Sequence, residues 1–288
     1  MKLVVGESVT RISYQHDMLF RIVEIGQGTA MLAGEEMRLL ADAPLEDLQV
    51  VSDIDKRKRR QKGKEKEDVS YRLFRQDAKL MKKRNEYDAT SGYEADDAQF
   101  FEMRGRVLHL DGDAFYLQRC TELYERFGVP VYGVHLEEKK MPEQIESLLE
   151  MVQPDIVVIT GHDAYLNDRG NQDDLRAYRH TKYFAECVRI ARRYCSHRDE
   201  LIIFAGACQS HFETLIKAGA NFASSPERIN IHALDPVYIA AKVSRTSYKD
   251  AIRLWEVLRN TITGEKGVGG IETKGVMRLG MPLKQEHT

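Results

Sequence analysis

A histidine and a cysteine stand in matching surroundings. His162 follows the run Ile156 to Thr160 and one glycine, and Cys208 follows Leu201 to Ala205, Gly206 and Ala207. Both runs are short and apolar, as a buried strand requires. The stretch between them has room for one helix. If the two runs are neighbouring parallel strands, both side chains leave the sheet at the same edge and face each other. A thiol beside an imidazole base is the equipment of a nucleophile for acyl transfer. Cys208 is expected to open a helix, where the dipole and free amides lower a thiol pKa. Those amides, with that of Asp163, are the expected donors to an oxyanion.

A third strand end joins them. Val107 to Leu110 reads as a strand leading into Asp111, Gly112 and Asp113. In an open α/β sheet, ligands bind at the carboxyl ends of the strands. A lone cysteine packs as a small hydrophobe more often than it reacts, and a lone histidine is often a satisfied turn residue. The convergence of three strand ends outweighs either bland reading. His211, three residues beyond Cys208, is the rival base, but it lies along the expected helix. His180 and His232 are weaker candidates. Cys120, Cys187 and Cys195 fall in expected helices and read as packing or surface thiols.

The elements that must position these groups follow from the pattern. From Arg106 onward, strands and helices alternate: helices over Phe115 to Phe127, Glu143 to Val152, Leu175 to Tyr194 and His211 to Ala218, and strands over Val131 to Leu136 and Phe222 to Ser224. Alternation of this kind predicts an α/β domain over residues 101–288, with a mostly parallel sheet and helices on both faces. A helix over Lys249 to Leu258 and a terminal strand or hairpin over Gly270 to Met281 complete it. Residues 1–50 hold four or five short strands, Val9 to Ile12, Leu19 to Ile25, Thr29 to Leu32 and Met37 to Leu40 among them, and read as a small SH3-like β module. Between them, residues 51–100 combine a solvated, charged linker around Lys56 to Lys64 with an amphipathic helix over residues 69–88. In that helix Leu73, Leu80 and Tyr87, with Phe74 and Met81 beside them, form one apolar stripe, and Thr90 to Gln99 is expected as loop.

The net charge of −2 on 288 residues gives no bulk pull toward nucleic acid or membrane. The basic run carries no interleaved aromatics for base stacking. The four cysteines show no paired spacing for zinc or a disulfide framework. No run reaches membrane-span length, the N-terminus meets charge too soon for a signal peptide, and a soluble intracellular protein is expected. No metal or organic cofactor is expected.

The order His then Cys, each after a strand, resembles the caspase-like superfamily of cysteine peptidases, as do the spacing of about 50 residues and the Ala207-Cys208 pair. Two positions depart from that pattern. Asp163 stands where those enzymes usually carry glycine, and Gly206 where several basic-specific members carry aspartate. Any acidic specificity pocket is therefore built elsewhere. A closer resemblance covers nearly the whole chain. The strings SYQHDMLFRI, VLHLDGD, GVPVYGVH, ITGHDAY, AYRHTKYF, IFAGACQSHFE, AGANFASSP, NIHALDPVYIAAK, WEVLRNT and GGIETKGV resemble the YabG family of sporulation-specific proteases. That resemblance implies a spore-forming source, action in the mother cell and spore coat, cleavage of coat and related sporulation proteins after arginine, and catalysis by Cys208 and His162.

Cleavage after arginine needs a carboxylate for the guanidinium. Asp111 and Asp113 are the first candidates, followed by Asp163 and Asp235, the last in an expected loop. Arg57, Arg59 and Arg60 in the exposed linker are candidate sites of self-cleavage. Two other classes fit the same residues: a non-catalytic coat-assembly protein that docks through the β module and basic run, and a thiol amidase or acyl transferase using the same pair.

Overall fold

The computed structural model describes residues 3–90 and 101–280. Five short strands open the chain: β1 (Ser8–Arg11), β2 (Phe20–Ile25), β3 (Thr29–Gly34), β4 (Leu40–Pro44) and β5 (Leu48–Val50). They form one antiparallel sheet in the order β4-β3-β2-β1-β5. Its core is Val9, Phe20, Ile22, Ala30, Leu32 and Ala43. The strand expected over Met37 to Leu40 begins only at its last residue. Residues 37–39 instead pair outside this sheet, with consequences for the site.

The basic run is not an irregular linker. It forms the first turns of α1 (Asp53–Thr90), a continuous helix of 38 residues. Lys, Arg, Gln and Glu are good helix formers, and a run of them needs no apolar face to stay helical once one end is anchored. Ser52 accepts a hydrogen bond from the Asp55 amide at 3.1 Å, and Asp53 and Asp55 complement the dipole in the first turn. The expected stripe is buried only in part. Leu73, Leu80 and Tyr87 are exposed, whereas Phe74 enters the core, its ring 4.1 Å from that of Phe127. The loop expected over Thr90 to Gln99 lies outside the described residues beyond Thr90.

After β6 (Phe101–Met103) the α/β alternation begins. It comprises β7 (Val107–Asp111), α2 (Ala114–Phe127), β8 (Val131–His135), α3 (Met141–Val152), β9 (Ile156–Thr160), α4 (Thr181–Tyr194), β10 (Ile202–Ala205), α5 (Phe212–Ala218) and β11 (Phe222–Ser224). The sheet order is β13-β11-β10-β9-β7-β8, where β13 (Val268–Gly270) is antiparallel to its neighbour and the others are parallel. The strands alternate faces residue by residue. Ile156, Val158, Ile202 and Phe204 join one core with α2 and Tyr238, while Val157, Ile159, Ile203 and Ala205 join the other with α3 and α4. Helices therefore cover both faces, as their spacing predicted.

Two expectations fail here. Asp235 does not sit in a loop: it begins α6 (Asp235–Arg245), in which every residue from Asp235 to Ser244 is buried. The helix expected over Lys249 to Leu258 divides into β12 (Ala251–Ile252) and the short α7 (Leu254–Leu258). The tail takes the strand alternative and not the hairpin: β14 (Thr273–Lys274) pairs with β12, and β15 (Arg278–Gly280) with β6. No helix among the described residues is long and apolar enough to cross a membrane.

Candidate active site

The register of the sheet fixes the relation of the two reactive residues. Ile159 of β9 lies opposite Ala205 of β10, so His162 and Cys208 each stand three residues beyond a paired position. On the other side of β9, Asp111 lies opposite Thr160. The three strand ends converge at one sheet edge. Between β10 and Cys208 the chain turns at Gly206, whose φ of +108° and whose neighbour, the Ser224 Oγ at 2.4 Å from an added Cβ, exclude any side chain.

Cys208 is fully buried. It does not open a helix: α5 begins at Phe212, with His211 as its N-cap. Burial pushes the Cys208 thiol pKa up, against the opposing hydrogen bond from the Ile231 amide to Sγ at 3.2 Å. The expected depression by a helix dipole is absent because the helix starts four residues too late. In this closed form the sulfur is a protonated thiol.

His162 is bracketed by carboxylates. Its Nε2 lies 3.3 Å from Asp113 Oδ2 and its Nδ1 lies 3.6 Å from Glu138 Oε1. The Asp113 contact lacks the directionality of a hydrogen bond, leaving Nε2 without one. Burial alone would lower the His162 pKa, but the two carboxylates outweigh it and raise it to about 9. Glu138 also accepts the His162 backbone amide at 2.8 Å. It approaches the chain so closely that a Cβ on Gly161 would stand 2.5 Å from Oε1. Nothing in the sequence marks Glu138: it lies in the charged string Glu137 to Lys140, which reads as a surface turn.

Asp113 is thus an orienting group. It caps α2 through the amides of Phe115 and Tyr116, and it pairs with Arg21 of the β module at 2.8 Å. Asp163 turns its side chain inward, accepting from the His180 amide at 2.7 Å, the Ser210 hydroxyl at 2.8 Å and the Thr181 hydroxyl. Burial raises its pKa. Asp235 accepts from the amides of His232, Ile262 and Thr263 and is a structural cap. Neither of these two carboxylates faces a guanidinium. His211 is engaged by the Thr214 amide and by Glu213, and His180 by the His162 carbonyl. His232 accepts from the Leu234 amide and lies beside Glu67.

Asp111 is different. Its oxygens lie 3.0 and 2.9 Å from Nη1 of Arg38, a fully buried arginine of the β module. Arg38 Nη2 reaches the Ala233 carbonyl at 2.8 Å and the Cys120 Sγ at 3.4 Å, and its guanidinium carbon lies 5.1 Å from the centre of the Tyr116 ring. His109, Asp111 and Cys120 also place possible metal-ligating atoms within 4.8 Å of one another, but a guanidinium already reaches two of the three.

The backbone of the same residue meets Cys208 and Asp163. The Arg38 carbonyl accepts from the Cys208 amide at 3.3 Å and, at 3.5 Å, from the Asp163 amide. Arg38 N–H donates to the Ile231 carbonyl at 3.1 Å, and the Ala233 amide donates to the Glu36 carbonyl at 2.8 Å. Leu39 pairs in parallel with Asp163, and Met37 antiparallel with His232. One sequence signal was there to find: a lone arginine inside the apolar run Met37 to Leu40. A groove of about 770 Å³ between the β module and α1 is lined by Glu36 and Met37 but by neither Cys208 nor His162. Of the linker arginines, Arg57 is exposed on α1, Arg59 binds the His16 carbonyl and Arg60 pairs with Glu35.

Fold and site together define a mostly parallel α/β protein with a thiol, a carboxylate-bracketed imidazole and a guanidinium pocket at one sheet edge. Residues 4–282 match the family model described as YabG peptidase U57. The chain is 55% identical over 289 residues to the sporulation-specific protease YabG of Bacillus subtilis (strain 168), covering 99% of each. It belongs to the YabG peptidase family.

Proposed function

We propose that this chain is a sporulation-specific cysteine endopeptidase that cleaves spore coat and related sporulation proteins after arginine, in the mother cell and at the coat. Its α/β unit is read as caspase-like and its β module as SH3-like. Cys208 attacks the scissile carbonyl, His162 protonates the leaving amine, and water released to the site hydrolyses the thioester with His162 as base. The backbone amides of Cys208 and Asp163 hold the oxyanion. Asp111, with Tyr116 and the Ala233 carbonyl, receives the arginine side chain.

The observation that carries this reading is the convergence of the Cys208 and Asp163 amides on a single carbonyl oxygen. Two donors from two adjacent strand ends aimed at one acceptor, beside a thiol, are what a tetrahedral intermediate requires. The family match supports peptidase activity, and the name of the Bacillus subtilis relative supports the sporulation setting.

The test is cleavage of an arginine-rich protein by wild type, Cys208→Ala and His162→Ala. Loss by a factor of about 10³ or more in both variants is expected, as for residues that act as a unit. Undiminished cleavage by Cys208→Ala removes the thiol from the mechanism.

A further inference from the structure

Residues 36–39 cross the site as a bound peptide would. Their backbone pairs on one side with residues 231–233 and on the other with Asp163. The Arg38 carbonyl rests on both amides assigned to the oxyanion, and the Arg38 side chain fills a pocket of complementary charge and shape. Tyr116 donates its hydroxyl to the Met37 carbonyl at 2.6 Å and so clamps the preceding residue. With this segment in place Cys208 is fully buried and His162 only 6% exposed, so no second chain reaches them.

A merely structural role explains this poorly. Burying an arginine costs desolvation that an apolar side chain avoids, and a buried ion pair seldom recovers more than that cost. A carboxylate, a carbonyl and an aromatic face arranged around a guanidinium are recognition features.

We propose that this segment is the enzyme's own first substrate: the intact chain holds itself closed with Arg38 in the guanidinium pocket, and the Arg38–Leu39 bond is the first one cut. The inference rests on the cysteine peptidase reading above. The Cys208 sulfur bonds to the Arg38 carbonyl carbon as the bond to the Leu39 nitrogen breaks, and the thiol proton passes through His162 to that nitrogen. Water then splits the thioester, giving the Arg38 carboxylate and restoring the thiol. Five paired positions between β3 and β4, on either side of the cut, keep the two pieces in one sheet while the new ends separate. Arg57, Arg59 and Arg60 lie in α1 and would have to unwind before entering the extended channel.

Wild type and Cys208→Ala are followed by intact mass and N-terminal sequencing after purification. A new N-terminus at Leu39 is expected in the wild type only. Cleavage of an arginine-rich protein in trans should rise by about tenfold as the split accumulates, because the fraction of open sites scales the apparent affinity. Arg38→Lys, which keeps a cation on Asp111, is expected to retain the wild-type melting profile and to split far more slowly. A synthetic peptide of residues 34–42 gives a reading independent of any variant: active enzyme should cut it between its arginine and the following leucine. Wild type that digests the protein in trans while its own Arg38–Leu39 bond stays whole overturns the inference and leaves the peptidase reading intact. Equal splitting in Cys208→Ala overturns it too. Wild type inert toward itself, the protein and the peptide overturns both.

Discussion

His162, the proposed acid and base, shows how a side chain is tuned by groups distant in sequence. Asp113 comes from the start of α2 and Glu138 from the turn before α3, and together they lift its pKa to about 9 against the effect of burial. Because that value is raised above the ordinary histidine range, the imidazolium adds to folding stability below about pH 6.5, and this contribution is lost as pH climbs through about 9. An acid that protonates the leaving amine fails over the same upper range. Glu138→Gln removes one supporting charge, so the alkaline limb of kcat/KM should move to lower pH, with the proposed preference for arginine unchanged because Asp111 is untouched. A limb that stays in place would show that Asp113 alone sets the pKa. The placement of His162 and Cys208 beyond neighbouring strands was legible from the sequence, because both residues punctuate strand ends. Glu138 was not: a carboxylate buried by tertiary packing looks, in a string of charges, like any surface residue.

At the scale of elements, the parallel sheet and its covering helices followed from periodicity, and β9 and β11 fall on the expected residues. The failures have physical causes. Helix α6 is buried from Asp235 to Ser244 although it carries Asp235, Lys242 and Ser244, so its burial comes from tertiary packing and not from local composition. The charged start of α1 is helical by propensity and anchorage, which composition alone does not distinguish from a solvated linker. Asp235 and Asp163 were candidate ligands by charge, and became caps and ties because each lies where several amides and hydroxyls point inward. Helix α1 buries Phe74, which packs against Phe127 and Tyr238 with ring separations of 4.1 and 5.9 Å. Phe74→Ala should therefore destabilise the protein by about 3–5 kcal/mol in denaturant unfolding. A loss below about 1 kcal/mol would mean that α1 is held by its ion pairs with Arg259 and Asp250 rather than by this ring.

The whole molecule is arranged around the segment that joins the β module to the site. The module reaches the α/β unit through Arg21 to Asp113, Arg38 to Asp111 and Asp42 to Arg179. The first two of these partners flank the start of α2, the element that also orients His162. A small antiparallel sheet was visible in the turn signals of residues 1–50, but its insertion into the site was not, since pairing between distant segments leaves no local pattern. The central claim is that Cys208 is a nucleophile served by an arginine pocket. It is tested most directly by treating the enzyme with a peptidyl-arginine chloromethyl ketone and mapping the adduct by peptide mass spectrometry. The account predicts a single adduct on Cys208, abolished in Cys208→Ala and strongly slowed in Asp111→Asn. An adduct on Cys120, Cys187 or Cys195, or inactivation that proceeds equally in Cys208→Ala, would contradict it.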